Sequence, residues 1–167
     1  MWNLLEGRDL FSRLRDDHGK YSPAAHLAEM IALLGPPPKE LIQREKEGLK
    51  WNWAPAVQNA EGKTCTTASE WFGGPFFDEN GKSGEGILNS EACSYTDLQS
   101  IGEFLHKSLI PQNLKIEDTI HALEGEQKNQ FLVFARKMLR WLPDDRNTAR
   151  ELIEDPWLSD DLIRRGV

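Results

Sequence analysis

The run from Gly125 to Trp141 constrains this chain more than any other stretch, because Phe131, Phe134, Ala135, Met138 and Leu139, with Leu142 just beyond, recur at intervals of three or four. That spacing places them along one stripe of a helix, while Lys128, Arg136, Lys137 and Arg140 face away. A helix with one apolar stripe must bury it against other elements, so the chain needs a packed core around this segment. Pro143-Asp144-Asp145-Arg146 breaks the helix, since proline has no N–H to continue it. A short helix from about Thr148 to Glu154 follows and ends before Asp155-Pro156, and Trp157 and Leu158 are then expected to fold back onto the core.

A second helix is marked by its ends. Ser22 is an N-cap type, Pro23 suits the first helical position, and the apolar run through Leu34 stops at Gly35. Leu27, Met30, Ile31 and Leu34 give its stripe. Pro36-Pro37-Pro38 forbids continuation, and a short polar helix from Lys39 to Glu47 is expected before Gly48. From about 49 to 112 the period is lost, and Trp51, Trp53, Trp71, Phe72, Phe76 and Phe77 are scattered among Gly, Asn, Thr and Pro. This long irregular insert is either packed by its aromatics or partly disordered. No alternation of apolar and polar residues reads as a strand, so the architecture reads as mainly α.

Composition narrows the function. The chain has 167 residues, 39% of them hydrophobic, with six Trp and seven Phe, which is enough to fold one domain and too aromatic for disorder. A formal charge of -7 argues against a phosphate-binding footprint, so no nucleic-acid partner is expected, and an acidic surface favours basic partners. Two cysteines, Cys65 and Cys93, make neither a disulfide framework nor a zinc spacing, and no apolar stretch approaches the ~18–20 residues that cross a bilayer. A protein without a membrane partner, cytoplasmic or nuclear, is the expectation.

The motifs that tempt a catalytic reading fail on spacing. Arg8-Asp9-Leu10 resembles part of a phosphotransferase catalytic loop, but the magnesium-holding Asn five residues on is Leu14 and the preceding His is Gly7. Asp9 therefore reads as a turn or helix-end charge. Gly81-Lys82-Ser83 has the tail of a phosphate-binding loop, yet its leading Gly would fall at Phe76. His18, His26, His106 and His121 are spaced too widely to form a local metal pair, and no serine sits in a nucleophile elbow. The sequence offers no catalytic, cofactor-binding or metal residue.

The segment Phe134 to Leu158, with Arg140-Trp141-Leu142-Pro143-Asp144-Asp145-Arg146 and Asp155-Pro156-Trp157-Leu158, closely resembles the last block of protein kinases. Ala25-His26-Leu27-Ala28-Glu29 through Leu33-Leu34-Gly35 is similar to the helix G region of SR-protein kinases, and Leu4-Leu5-Glu6-Gly7 with Asp9-Leu10-Phe11 looks like the end of helix F. The resemblance implies that residues 1–167 form part of a kinase C-terminal lobe (the end of helix F, then G, H and I) of an SR-protein-kinase-like serine/threonine kinase. Residues 83–102 interrupt it and read as a lineage-specific insertion or a retained intron.

What the resemblance implies is specific. Helix F follows the catalytic loop, the magnesium-binding Asp-Phe-Gly and the activation segment, so all of these would precede Met1, and the ATP and Mg of the family have no residues here to hold them. Arg146 matches the arginine that pairs with the glutamate closing the activation segment; in the chain alone it would cap the preceding helix's carbonyls or solvate a turn. Trp157 matches the closing tryptophan. His26 and Glu29 fall where a partner would dock, although Ala25 and Ala32 stand where the family is expected to carry acidic docking residues. The partners implied are basic Arg/Ser-rich proteins or the rest of a kinase domain. The alternative is a non-catalytic protein-binding module, favoured if Trp51, Trp53 and Trp71 are exposed.

Overall fold

A computed structural model describes residues 1–48, 50–78 and 102–158. Its helices are α1 (Trp2–Glu6), α2 (Pro23–Leu34), α3 (Lys39–Gly48), α4 (Ala68–Phe72), α5 (Gly125–Met138) and α6 (Ala149–Ile153), and its strands are β1 (Val57–Gln58) and β2 (Thr64–Cys65). The mostly helical reading holds. All of the 83–102 insertion except Gly102, the Gly81-Lys82-Ser83 motif and Cys93 lie outside the described residues. The chain divides into two compact units, one of Met1–Arg13, Glu29–Pro37 and Pro111–Val167, the other of Leu14–Ala28 and Pro38–Ile110, with α2 contributing to both.

The first unit is built on α5. Phe131, Phe134 and Ala135 are buried and join Trp2, Leu33, Ile116 and Ile120 in one core. Trp157 returns as its sequence suggested, with its ring 5.0 Å from that of Phe131 and stacked 5.1 Å from that of Phe134. On the other side Trp2 meets Phe131 edge-on at 5.1 Å, and its indole N–H donates to Thr119 Oγ1 at 3.0 Å. An aromatic body in the core with its polar tip bonded is the arrangement that lets a tryptophan be buried without cost to its N–H.

α5 stops at Met138, three residues short of the expected Trp141. The reason is a competition for one acceptor: the Lys137 carbonyl, which a longer helix would bond to the Trp141 N–H, takes the Asn147 N–H at 2.9 Å instead. A turn at Pro143–Asp145 then leads into α6, whose N-cap Thr148 and Glu151 bond each other's backbone N–H groups in a capping box. α2 begins as read, with Ser22 Oγ accepting from Ala25 N at 3.2 Å. Its buried side differs from the expected stripe and comprises Ala28, Glu29, Ile31 and Leu33.

The second unit has short regular elements within the long insert. β1 and β2 pair antiparallel, Val57 with Cys65 and Gln58 with Thr64, around a turn in which Asn59 Oδ1 accepts from Glu61 N and Lys63 N. Gly62, at φ 78°, supplies the left-handed residue that this turn requires. α4 follows directly, with Thr67 accepting from Glu70 N and the Glu70 carboxylate accepting from Thr66. The strands have two residues each, too few to show alternation. Phe77 and Phe104 then pair as an isolated antiparallel bridge with rings 5.6 Å apart.

One carboxyl in this unit is poorly served. Glu45 Oε1 accepts from Phe76 N at 2.8 Å, whereas Oε2 is buried without a partner among the described residues. Burial pushes this carboxyl up, against the Phe76 N–H, the Lys46 charge and the Phe77 N–H. A raised carboxyl adds stability that is complete below the ordinary glutamate range, about 4.3, and is lost as pH rises through the folded value. Glu45→Gln is therefore expected to unfold at higher temperature than wild type at pH 7 and at the same temperature near pH 4, as followed by circular dichroism.

The two tryptophan classes should also separate. Trp157→Ala removes the ring between Phe131 and Phe134 and is expected to cost about 3–5 kcal/mol. Trp51 is 77% exposed, so Trp51→Ala should stay within about 0.5 kcal/mol. Urea titration of both variants measures the contrast.

Candidate functional site

The residues marked out by sequence fall in three places. In the first unit, Arg146 lies just past the Pro143–Asp145 turn and closes back on the chain: its Nε donates to the Arg140 carbonyl at 2.9 Å and its Nη2 to the Trp141 carbonyl at 3.2 Å. Both carbonyls lie past the end of α5, where no helical N–H reaches them, and a guanidinium fork suits two adjacent acceptors. Trp141 in turn donates its indole N–H to the Gly35 carbonyl at 3.1 Å.

Between α5 and the segment after α6 lies a pair that sequence reasoning missed. Lys137 Nζ meets Asp155 Oδ2 at 2.5 Å, and Asp155 is 6% exposed. Asp155 Oδ1 also accepts from Trp157 N at 2.9 Å, so one carboxylate fixes both α5 and the start of the Trp157 segment. The basic face of α5 is accordingly not a plain solvated face: Lys128 Nζ donates to the Ile120 carbonyl at 2.9 Å and Arg136 pairs with Glu117. No local pattern links residues 18 positions apart, so only the fold pairs 137 with 155. Val133, Lys137, Asp155, Pro156 and Trp157 line a shallow groove there.

The two docking candidates on α2 lie in different environments. Glu29 is 1% exposed, and its carboxylate accepts from Ser12 N at 3.1 Å and from Arg13 N at 3.0 Å. It anchors the backbone of residues 12–13 from inside. The Ser12 hydroxyl is 3.4 Å from the same carboxylate. His26 is half-buried, with Nδ1 3.0 Å from the Tyr21 hydroxyl and its ring edge-on to Tyr21. Asp9 accepts from Asn3 Nδ2 at 3.4 Å, a contact across the Gly7 turn that ends α1.

A cavity of about 270 Å³ opens in the first unit, lined among others by Arg8, Asp9, Arg13, Glu29, Asp118 and His121. Its lining balances three acidic against three potentially basic side chains, so it presents no single charge to a ligand. Among the described residues no group of three His, Cys, Asp or Glu is placed to hold a metal ion. No described helix is long and apolar enough to cross a membrane.

Asp155 gives the site a pH dependence. Burial works against its charge, but the hydrogen bond from Lys137, the Trp157 N–H and the Lys137 charge outweigh it and hold the carboxyl below the usual range. A lowered carboxyl adds stability above the ordinary aspartate value, about 3.9, and loses it as pH falls through the folded value. Asp155→Asn is expected to cost about 1–3 kcal/mol at pH 7. The gap to wild type should shrink as the pH is lowered below the aspartate range, which denaturant titration at several pH values measures.

Comparison with known proteins follows the same residues. No family model and no solved structure matches the chain. Two serine/threonine protein kinases from two strains of Aspergillus fumigatus are each 32% identical over 158 residues, 95% of this chain and 28% of the relative. The chain thus spans just over a quarter of the length of these curated relatives, and along that span its sequence is kinase-like.

Proposed function

We propose that this chain is the C-terminal-lobe portion of an SR-protein-kinase-like serine/threonine kinase, whose longer form binds ATP with Mg and phosphorylates Ser or Thr in proteins. The observation that carries this reading is the 32% identity along 158 residues to serine/threonine protein kinases. The Phe134–Leu158 block and the α2 sequence support the C-terminal-lobe and SR-kinase assignment. Phosphoryl transfer is mostly positioning of phosphates and metal ions. The 167 residues contain no glycine-rich loop with its lysine and no Asp-Phe-Gly, so the chain alone is expected to be inactive.

Within that reading Arg146 would have two roles, one of which is supported by its bonds to the Arg140 and Trp141 carbonyls. A guanidinium has five N–H groups, and Nε and one Nη2 hydrogen are aimed at the 140 and 141 carbonyls. The planar fork can still take a carboxylate on another edge, as pairing with the glutamate of an activation segment requires. Basic Arg/Ser-rich proteins are the partners that the acidic charge favours. His26 remains the docking candidate on α2, since Glu29 is committed to the 12–13 backbone.

A second reading, a non-catalytic module that binds basic proteins or the rest of a kinase domain, is favoured by the exposure of Trp51 and Trp71, although Trp53 is half-buried and packs edge-on against Trp71 at 6.1 Å. Cytoplasm and nucleus are the compartments consistent with either.

The transcript encoding this chain, read in frame upstream of Met1, separates the two. It is expected to encode a glycine-rich loop, His-Arg-Asp and Asp-Phe-Gly, and the resulting polypeptide should transfer labelled phosphate from ATP to an Arg/Ser peptide while residues 1–167 alone transfer none. An upstream frame without those motifs, or a longer form that leaves the peptide unlabelled, would leave only the binding module.

A further inference from the structure

The junction between α1 and residues 119–122 contains a ring nitrogen claimed from two sides. His121 Nδ1 lies 2.7 Å from Arg8 Nη2 and 3.3 Å from Glu6 Oε2. An imidazole nitrogen is either an acceptor or a donor, and it cannot serve a guanidinium and a carboxylate together. We propose that His121 is a proton-operated switch at this junction, accepting from Arg8 when the ring is neutral and donating to Glu6 when it is charged.

The rest of the junction is arranged so that only one tether changes. Glu6 Oε1 accepts from His121 N and Ala122 N, both at 2.8 Å, and these backbone bonds are indifferent to the ring's charge. Burial works against the Glu6 charge, but those two N–H groups and the His121 ring outweigh it and hold the carboxyl below the usual range. Glu6 thus stays ionised wherever histidine titrates, between about pH 5 and 8. Its side chain is 5% exposed and that of His121 64%, so the anion is fixed while the ring is open to solvent protons.

Arg8 is the part that moves. The same Nη2 that meets His121 also donates to the Thr119 carbonyl at 3.2 Å. A charged ring turns the short Arg8 contact from a hydrogen bond into a repulsion between cations, which loosens both of its attachments together. Asp9 and Asp118, which line the same cavity, offer the released guanidinium new acceptors, and Arg13 and Glu29 are the other charged groups of that wall. From α5, Lys128 is the charged group that approaches, through its bond to the Ile120 carbonyl at 2.9 Å. The switch therefore sets whether the chain after α1 is held to the 116–121 turn.

Nuclear magnetic resonance of the whole chain, labelled in histidine rings and arginine side chains, tests this. At pH 8 the neutral His121 ring is expected to carry its proton on Nε2, leaving Nδ1 as acceptor, and the Arg8 guanidinium signals should be resolved and slow to exchange. At pH 5.5 they should collapse to those of a free arginine. His121→Asn places an amide oxygen near the Nδ1 position, so its Arg8 signals should remain slow at both values. The proposal is overturned if the neutral ring carries its proton on Nδ1, if wild-type Arg8 does not respond to pH, or if His121→Asn responds as wild type does.

Discussion

The first unit depends on the packing of Trp157 against Phe131 and Phe134. Those two rings are the fully buried centre of α5, and without the returning indole they would face an unfilled space. Cavities of that size cost several kcal/mol, a large share of the ~5–15 kcal/mol that hold a domain together. The Asp155 carboxylate makes the return possible, because it takes the Trp157 N–H and the Lys137 ammonium at once. A buried acid is thus retained where three constraints meet: the end of α6, the face of α5 and the entry of the tryptophan.

The same logic explains why α5 ends where it does. Apolar periodicity continues through Leu142, and by pattern alone the helix should continue too. Three groups redirect the backbone: Asn147 takes the Lys137 carbonyl, Arg146 takes the Arg140 and Trp141 carbonyls, and Trp141 turns its indole to the Gly35 carbonyl. Arg146 therefore has structural work within the chain, whatever partner a longer polypeptide brings to it.

Residues 50–78 show how a segment without periodicity still becomes ordered. Its structure comes from local polar bonds: the Asn59 side chain in the hairpin turn, Thr67 capping α4 and Glu70 bonding back to Thr66. The aromatics are divided between packing and exposure. Phe77 is buried against Phe104, Trp53 and Trp71 meet edge-on, and Trp51 lies in the open.

The longer helices, α2, α3 and α5, were legible because their signals are local, whereas α4 was not. Ser22-Pro23 and Gly35 delimit α2, the three prolines separate it from α3, and the stripe through Phe131 and Phe134 identifies α5. The kinase-like character was legible too, through a resemblance carried by contiguous runs such as Leu142-Pro143-Asp144-Asp145-Arg146 and Asp155-Pro156-Trp157-Leu158. The Lys137–Asp155 pair, the inward turn of Glu29 onto the 12–13 backbone and the shared claim on His121 were decided by tertiary structure alone. Each joins residues 16 or more positions apart through a geometry that no spacing rule encodes. Sequence sets which groups want partners, through burial of apolar stripes and the saturation of backbone donors. Which partner each one meets depends on where the folded backbone brings them.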